Sequence, residues 1–498
     1  MRTPLLFLAM AGLLRADLVE QGVKDAKPSG LLAGVARVSI DPPIPIAKLN
    51  WGSQTHIVAK GIDPPGLKAT ALVLSDGKQR FAMVDLDIIT VEGLESAVED
   101  AAARTGIPVE HIRLAASHTH AAPLLSLERG PAGVDLTEFA RVYQGYMEDV
   151  RARIVEVIAA ANAKLEPAHL AGGRGTGTIN INRRVRGTPN SPPAVGINPD
   201  GFVDRELIVF RIDNAQGRPL AVLANFQTHG TVLAYENELA SPDWIGMARH
   251  TVEQALPGSL CLYFQGAAGN QGPVEGFTGD VEVAHRLGRI LGHQISAVAE
   301  QIDTVVRQPR AEGFVESTAF QAKQHWRVSG PRPAQLSFAR VTVPLPRRTY
   351  TPEEIADMEQ RITRAQRQVA EEKSAGGDPW KLYQAEARVR RFRNLLNKWK
   401  QPAPQTPVSV EMRVLRIGDV AMVSMPGEPF AEIGVAFKKA SPFAFTMFCG
   451  YSSGVGGDYM PTAPEFSFGG YEIERTPYGR GAAEELMSTA PALFGKVK

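Results

Sequence analysis

The sequence has few cysteines and almost no net charge. The first argues against a disulfide-linked scaffold and the second against a nucleic-acid-binding protein. Its 498 residues contain two cysteines, too few for a scaffold held together by disulfide bonds. Lysine and arginine together number 54 against 53 aspartate and glutamate residues, so the net charge is +1. Proteins that bind nucleic acids rely on clustered excess positive charge. We therefore expect no nucleic-acid partner.

Apolar segments long enough to cross a membrane are missing as well. The apolar run over residues 4–14 has 11 residues, whereas a membrane-spanning helix needs about 20. Because Arg2 precedes this run, the pattern predicts a signal peptide over residues 1–16, with a buried N-terminal helix as the alternative. We therefore expect an exported protein, either periplasmic or secreted. In such a compartment Cys261 and Cys449 could pair, but both lie in strand-like apolar runs, which favours two buried thiols.

What the sequence does contain is a regular alternation of helical and strand-like segments. Short connections join these segments, which is typical of layered α/β proteins. We therefore predict an α/β fold in which mixed β-sheets pack against flanking helices. The predicted strands include Ile112–Ala116, Leu220–Gln227, Ser259–Phe264 and Val420–Met425, and the predicted helices include Val91–Ala103, Phe139–Asn162, Trp244–Ala255 and Glu282–Val305.

Residues 351–400 differ from the rest because they are highly charged and periodic. Apolar residues recur there at alternating spacings of three and four, in two stretches separated by Ala375–Gly376–Gly377. Two such seams joined by a glycine turn predict an antiparallel helical hairpin, and Thr351 with Pro352 and Glu354 marks a helix start. Because strand-like sequence resumes afterwards, we interpret the hairpin as an insertion. Its second helix carries a basic face, which we expect to be either solvated or in peripheral contact with a membrane.

The sharpest local motif is Ser117–His118–Thr119–His120, which directly follows a predicted strand. Alternate residues of an extended chain share a face, so both imidazoles can point into one pocket. A pair of histidines at this spacing is a common arrangement of metal ligands. A structural role for a histidine pair in a polar loop is the alternative.

Three further polar signals follow apolar, strand-like runs. His229 ends one such run, and Glu428 lies in the rigid turn Met425–Pro429 after another. A hydrogen-bonded histidine and a surface carboxylate are the alternatives for these two. The third signal is a glycine-rich stretch that could also be a surface loop with packing tyrosines; it contains Tyr451, Tyr459 and Tyr471.

All of these signals lie at or just beyond the end of an apolar run. Ligands of open α/β sheets collect at the carboxyl ends of strands. Two histidines and one carboxylate match the ligand set of catalytic zinc sites that keep one position open for water, and such an ion makes water a nucleophile near neutral pH. The residues therefore predict metal-assisted hydrolysis, with a non-catalytic metal- or ligand-binding protein as the alternative.

Taken in order, the motifs resemble those of the N-terminal catalytic domain of the neutral/alkaline non-lysosomal ceramidases. They extend from about residue 34 to residue 472 and read GVARVSIDPP, AASHTHAAP, NINRR, NFQTHG, SPDWIG, YFQGAAGNQGP, SMPGEPF and DYMPT followed by GGYE. The resemblance implies a ceramidase-like zinc hydrolase domain over residues 30–498, with the hairpin of residues 351–400 inserted in it.

The resemblance also implies roles for individual residues. One zinc ion (Zn²⁺) would be held by two histidines, a glutamate and a tyrosine, which are His118, His229, Glu428 and Tyr459. The second histidine of the HTH motif, His120, and a second tyrosine, Tyr471, would stabilise the oxyanion. Arg183 would face the substrate. Apart from the resemblance, Asp243 and Asn270 are candidates for contacts either with the substrate or with the residues that hold the metal.

Two departures from the family concern the substrate. Gly272, which we expect at the substrate, stands where the ceramidases carry a serine. A serine acyl-enzyme route is therefore excluded at this position, whereas metal-assisted attack by water survives. The ceramidases also carry a C-terminal immunoglobulin-like domain, for which we expect no room after Glu474. We therefore predict a zinc-dependent amidohydrolase that cleaves an N-acyl bond in ceramide or another lipid amide. A different substrate on the same fold is the alternative.

Overall fold

The computed structural model of the protein describes residues 27–48, 50–51, 56–123, 136–188, 192–376, 378–402, 404 and 406–498. The predicted signal peptide, residues 1–16, lies outside these ranges and stays a prediction. Within them, no helix combines the length and the apolar character that crossing a membrane requires.

An eight-stranded mixed sheet is the largest element of the fold. Its strands are β1 (Leu31–Ser39), β2 (Lys68–Ser75), β3 (Arg80–Leu86), β4 (Ile112–Ala116), β5 (Glu166–Thr176), β6 (Glu206–Asn214), β7 (Pro219–Phe226) and β8 (Leu260–Gln265). Their order across the sheet is β8-β7-β6-β5-β1-β2-β3-β4. Neighbours are antiparallel except for the parallel pairs β7–β8 and β3–β4. Most central residues of these strands are apolar on both faces because both faces are covered.

Four helices cover one face of this sheet. They are α1 (Glu95–Thr105), α2 (Thr137–Ala163), α3 (Asp243–Ala255) and α4 (Val281–Gln301). Helix α2 buries Tyr146, Val150, Ile154 and Ile158 at helical spacing, as the sequence periodicity predicts. Helices α3 and α4 pack on β6, β7 and β8 in the same way.

A two-stranded hairpin follows α4 where the sequence periodicity predicts more helix. The prediction that this helix runs to Val305 is wrong, because α4 ends at Gln301. Ile302 is extended, with φ −84° and ψ 117°, and the Thr304 hydroxyl donates to the Asp213 carboxylate at 2.8 Å. The β-branched residues beyond this point favour extended chain, which apolar spacing alone does not reveal. The two antiparallel strands are β9 (Val305–Glu316) and β10 (Phe320–Pro331).

The predicted helical hairpin is present. Its helices are α5 (Pro352–Ser374) and α6 (Pro379–Lys400). Thr351 and Glu354 form a reciprocal capping box at the start of α5, in which each side chain accepts a hydrogen bond from the other residue's backbone N–H. The apolar seams meet in a small core of their own; it contains Met358, Ile362, Ala365, Val389 and Phe392.

A four-stranded sheet covers the other face of the large sheet. Its strands, in spatial order, are β11 (Leu336–Leu345), β12 (Val408–Ile417), β13 (Val420–Ser424) and β14 (Phe445–Cys449). Only β13 and β14 are parallel. The remaining helices are α7 (Ala431–Ala440), α8 (Tyr471–Arg475), α9 (Ala482–Ser488) and α10 (Ala490–Gly495), of which α7, α9 and α10 cover the outer face of this sheet. The fold therefore has four layers: helices, large sheet, small sheet and helices.

The large sheet curls so that its two edges approach each other. The backbone N–H of Tyr263 in β8 donates to the Asp85 carboxylate in β3 at 2.9 Å. The side-chain amide of Gln265 donates to the Ser117 carbonyl, just beyond β4, at 3.3 Å. This curvature brings the loops after β4 and β7 together, although the two strands lie far apart in the sheet order.

Short strands and two buried thiols complete the described structure. Cys261 and Cys449 are buried and unpaired, which confirms the prediction of free thiols. The short strands are Ile46–Ala47, Val58–Ala59, Gly61–Ile62, Asn180–Asn182, Arg184–Val185, Ala194–Val195, Leu239–Ala240, Gln271–Pro273, Glu428–Pro429 and Tyr459–Met460.

Candidate metal and active site

Two loops, at the ends of strands β4 and β7, carry three histidines. His118 and His120 follow β4, and His229 follows β7. The loops touch where Thr119 forms a β-bridge with Gly230, and the backbone N–H of His120 donates to the Gly230 carbonyl at 3.0 Å. A Cβ at position 230 would be crowded, 3.0 Å from the Cα of Thr119, which is why glycine suits it. The close approach of the two backbones sets the spacing of the imidazoles.

His118 has a strained backbone conformation. Its φ of 62° lies in the left-handed region, which is uncommon for a residue with a side chain and is concentrated at functional sites. Its backbone N–H donates to the Ile88 carbonyl at 3.1 Å, and its ring Nδ1 lies 2.6 Å from the Ile89 carbonyl oxygen. These two contacts hold both the backbone and the imidazole in place.

The turn after β13 brings a carboxylate to the histidines. Oε2 of Glu428 lies 3.0 Å from Nε2 of His229 and 3.5 Å from Nε2 of His118. Gly427 makes the turn with φ 79°, and a Cβ there would lie 2.6 Å from the Asp458 carbonyl oxygen. The hydroxyl of Tyr451, just beyond β14, donates to the same Glu428 oxygen at 3.4 Å.

Hydrogen-bond acceptors outnumber donors in this cluster. Nδ1 of His118 faces the Ile89 carbonyl at 2.6 Å, and Nδ1 of His229 faces the Ala268 carbonyl at 2.8 Å. Because carbonyl oxygens only accept, both Nδ1 atoms carry the proton, and Nε2 of each neutral ring presents a lone pair. These lone pairs face the Glu428 carboxylate, which also only accepts. Acceptors that face each other are stabilised by a cation between them. In metal-bound histidines, the ring nitrogen that does not bind the metal typically donates a hydrogen bond to a carbonyl oxygen or carboxylate.

Burial favours the neutral imidazoles of His120 and His229, whereas neighbouring histidines keep the Glu428 carboxylate charged. Burial lowers the pKa of His229 to about 3, and the positive charge of Arg183 acts in the same direction. Burial also holds the pKa of His120 well below its ordinary value, with His118 and His229 adding to the effect. Burial alone would raise the pKa of Glu428, but His118 and His229 hold it well below the usual range. This combination of charges favours a bound cation.

His120 completes the group. Its Nε2 lies 3.2 Å from Nε2 of His118, and one nitrogen from each of the three histidines lies within 4.8 Å of the other two. Its Nδ1 is buried and has no hydrogen-bond partner among the residues that the structure describes. The Trp51 ring packs against it with centroids 4.9 Å apart. His120 is therefore positioned either to bind a metal or to donate a hydrogen bond to a substrate.

A second buried cluster lies beside the first and is balanced in charge. The Arg183 Nε donates to the Glu472 carboxylate at 3.1 Å, and Nη1 of Arg184 donates to the other oxygen of Glu472 at 2.6 Å. Arg184 also donates to Glu465 at 2.7 Å. The Tyr459 hydroxyl accepts a hydrogen bond from Arg183 at 3.1 Å. Tyr459 also pairs with Glu428 in two short parallel strands, so it connects the two clusters.

The helical hairpin reaches this region through the helix that carries Tyr471. The Tyr471 ring lies 5.6 Å from the Tyr459 ring, and the Arg391 guanidinium of α6 lies 4.9 Å above the Tyr471 ring. Arg391 also donates to Glu474 at 2.5 Å, and Arg361 of α5 pairs with the same carboxylate at 2.8 Å. The hairpin is therefore anchored to α8.

The two remaining residues expected at the substrate have protein contacts. Oδ1 of Asn270 accepts a hydrogen bond from the Ala431 backbone at 2.9 Å, and its Nδ2 donates to Glu432 at 2.9 Å. Asn270 therefore holds the start of α7. Gly272 lies in a short strand, where a Cβ would lie 3.2 Å from the Cβ of Arg183.

Two residues that lie against the histidines, Tyr451 and Trp51, have no role predicted from the sequence. Tyr451 carried a usable signal, since it lies two positions beyond β14 just as His118 lies two positions beyond β4. Trp51 carried none, because its contacts with His120, Tyr235 and Phe277 join segments far apart in the chain.

Comparison with known proteins identifies a family for part of this chain. The family described as neutral/alkaline non-lysosomal ceramidase, N-terminal, matches residues 49–279. This part of the chain is therefore similar to that ceramidase family. The matched region includes both histidine loops and ends before Glu428 and Tyr459, which come from the part of the chain beyond it.

Individual ceramidases match longer or shorter segments. The neutral ceramidase of Pseudomonas aeruginosa is 24% identical over 404 residues, which are 74% of this chain and 57% of that protein. Neutral ceramidase A of Dictyostelium discoideum is 28% identical over 154 residues, or 31% of this chain and 21% of that protein. The matches thus span from a fifth to little more than half the length of these relatives.

Solved structures of ceramidases share the fold. The crystal structure of the P. aeruginosa neutral ceramidase superposes with a TM-score of 0.60 at 20% identity, covering 95% of this chain and 75% of that one. A ceramidase complexed with C2 gives a TM-score of 0.59 at 18% identity, covering 95% and 76%. The predicted α/β architecture of mixed sheets and flanking helices is confirmed.

Proposed function

We propose that this protein is a zinc-dependent hydrolase that cleaves the amide bond of an N-acyl lipid, with ceramide as the first candidate substrate. One observation carries the proposal: the lone pairs of two buried imidazoles, on His118 and His229, face the Glu428 carboxylate. The relationship of residues 49–279 to the ceramidases supports amide hydrolysis as the reaction class.

The residues present fit a metal ion. His118, His229 and Glu428 would hold it, and Tyr459 would be the fourth ligand; two imidazole nitrogens and two oxygens suit zinc. When bound, zinc polarises a carbonyl oxygen and lowers the pKa of water towards neutrality. Tyr451 donates to Glu428 at 3.4 Å and would fix the orientation of that carboxylate.

Other side chains of the cluster fit the steps of amide hydrolysis. When water adds to the carbonyl carbon, negative charge develops on the carbonyl oxygen, and the C–N bond breaks as the leaving nitrogen takes a proton. His120 has a ring nitrogen free of protein partners within the described residues and would donate to the developing oxyanion. Tyr471 would be the second donor. One well-placed donor contributes about 3–4 kcal/mol to transition-state stabilisation. Arg183 would position Tyr459 through its 3.1 Å hydrogen bond.

Gly272 favours a second candidate substrate, which would be cleaved by the same reaction. This position has no side chain that could contact a ceramide headgroup or act as a nucleophile. Water is then the nucleophile, and a smaller or more polar N-acyl compound is the alternative substrate.

Export and membrane contact belong to the same proposal. A signal peptide over residues 1–16 would place the enzyme in the periplasm or outside the cell. Peripheral contact of the α6 basic face with a lipid surface would bring the enzyme to a lipid amide.

Elemental analysis combined with a panel of short- and long-chain N-acyl substrates tests the proposal. We expect stoichiometric zinc and hydrolysis of at least one substrate, and the chain length cleaved fastest identifies the substrate class. His118→Ala should lose both zinc and hydrolysis, whereas His250→Ala, an exposed histidine of α3, should keep both. Stoichiometric zinc in purified His118→Ala would overturn the ligand assignment. Zinc without any turnover across the panel would instead indicate a non-catalytic metal-binding protein.

A further inference from the structure

Arg113 places a guanidinium in the apolar layer between the two sheets. It is the second residue of β4, an edge strand in which Ile112 and Leu114 point towards the helices. Arg113 points the opposite way, to the side where Ala115 joins the core between the sheets. Its guanidinium stacks on the Phe264 ring, 4.2 Å from the ring centroid. A side chain that is always charged therefore lies among apolar groups.

No carboxylate among the described residues forms an ion pair with this guanidinium. Arg113 is 7% exposed, and Nε, Nη1 and Nη2 are all buried without a hydrogen-bond partner among the described residues. Two other arginines near it, the buried Arg249 and the partly buried Arg413, differ in this respect. Arg249 pairs with Asp85 at 2.7 Å and Asp87 at 2.5 Å, and Arg413 pairs with Glu411 at 2.5 Å. A buried charge without a partner costs several kcal/mol, so something outside the chain should offset it.

A small cavity lies beside the guanidinium. Its volume is about 30 Å³, and most of its wall is apolar, with Phe81, Met83, Phe338, Leu415 and Met422. Arg113, His111, Arg413 and Ser424 also line it. Glu110, which is exposed, also lines it, so the cavity reaches the surface. The neighbouring Cys449 is a neutral thiol, because burial raises its pKa despite the opposing charge of Arg113 and the side-chain interaction between the two residues. A neutral thiol does not compensate the charge of the guanidinium.

We propose that this cavity is a binding site for a small monovalent anion, such as chloride or a planar oxyanion of similar size, held by the Arg113 guanidinium. Water could satisfy the N–H groups but would leave the charge uncompensated. The small volume excludes a long acyl chain, and the apolar wall disfavours a strongly hydrated multivalent anion. Strand β4 leads directly to His118, and β14, which carries Cys449, leads to Tyr451. The cavity wall combines Arg113 of the large sheet with residues of β12 and β13, so a bound anion would join the two sheets.

Thermal unfolding of the full chain at constant ionic strength tests this site. Chloride is exchanged stepwise for gluconate, which is too large for the cavity. We expect the Tm of the wild type to rise by a few degrees with chloride and to saturate, because a ligand that binds only the folded state stabilises it. Arg113→Met, which keeps the length and the apolar packing of the side chain, should give a Tm independent of chloride. In gluconate alone this variant should match or exceed the wild type, since the uncompensated charge is gone.

Arg367→Met is the matched control, because it removes one positive charge from an exposed position of α5. It should show the same chloride response as the wild type. Bromide soaked into crystals of the wild type provides a second measurement that does not depend on the variant folding. An anomalous peak beside the Arg113 guanidinium supports the site. A chloride-independent Tm in the wild type, or ordered water alone in the cavity, would overturn it.

Discussion

The two buried clusters near the loop ends differ in how their charges are balanced. In the cluster of Arg183, Arg184, Glu465 and Glu472, two guanidiniums face two carboxylates, and the donors find acceptors at 2.6–3.1 Å. In the neighbouring cluster, the imidazole lone pairs of His118 and His229 face an acceptor. The first cluster is complete within the protein and stabilises the fold. The second is incomplete, and that incompleteness is what points to a bound cation.

The largest expected effect comes from breaking the balanced cluster. Glu472→Gln leaves Arg183 and Arg184 buried with too little negative charge, because Glu472 bonds both and is 1% exposed. We expect a loss of about 3–5 kcal/mol in the free energy of unfolding, measured by urea denaturation.

Glu156→Gln serves as the matched control, since this glutamate pairs with Arg153 on the surface of α2. Its unfolding free energy should change by less than about 0.5 kcal/mol. Equal losses of unfolding free energy in Glu472→Gln and Glu156→Gln would show that the buried cluster stabilises the fold no more than a surface ion pair does.

Removing the Glu428 carboxylate from the incomplete cluster should leave the stability of the metal-free protein unchanged, in contrast to Glu472→Gln. Glu428→Gln supplies an amide N–H that can donate to an imidazole lone pair, so the metal-free protein should be as stable as the wild type. Metal affinity should fall about 100-fold or more, because a negatively charged ligand is lost. Competition with a chelating dye measures the affinity, and thermal unfolding after chelation measures the stability. A large loss of stability in metal-free Glu428→Gln would contradict the proposed excess of acceptors.

Tyr451 and Tyr459 lie between the two clusters, and substituting each of them tests which one binds the metal. The Tyr459 hydroxyl contacts Arg183, and the Tyr451 hydroxyl contacts Glu428. If Tyr459 is the fourth ligand, Tyr459→Phe should weaken zinc binding by about 10–100-fold. Tyr451→Phe removes one long hydrogen bond and should weaken it by less than about 10-fold. The reverse order, measured by the same dye competition, would assign the ligand role to Tyr451.

The smallest expected effect concerns the helical hairpin. Glu474→Gln weakens the ion pairs with Arg361 and Arg391, which are partly exposed, so the unfolding free energy should fall by less than about 1 kcal/mol. Hydrogen exchange should nevertheless rise locally in Tyr471–Arg475, because the hairpin would no longer hold this helix. Unchanged exchange there would show that the hairpin does not restrain Tyr471.

The sequence predicts the helices and strands of this fold better than it predicts which of them contact each other. Periodicity locates α2, the two hairpin helices and the strands before His118, His229 and Glu428, since burial of one face repeats along the chain. It misplaces the end of α4, because β-branched residues continue the apolar spacing after the helix has ended at Gln301.

Contacts between distant segments are the part of the site that periodicity cannot supply. The family resemblance groups the four expected ligands, but the position of Trp51 against His120 depends on loop packing. The curl of the large sheet likewise depends on a contact between Tyr263 of the edge strand β8 and Asp85 of β3, near the opposite edge. Arg113, which has no carboxylate partner in the part of the chain that the structure describes, looks in the sequence like an ordinary charged residue of an edge strand.

The curled sheet also sets when the protein can acquire its ion. His229 and Glu428 lie 199 residues apart, and their loops meet only after the sheet has closed and the second sheet has docked. A nascent chain still emerging from the ribosome would hold its histidines without their carboxylate. Some small domains fold only when they bind zinc. In this protein, by contrast, the metal should bind after folding, so bound metal would indicate that folding is complete.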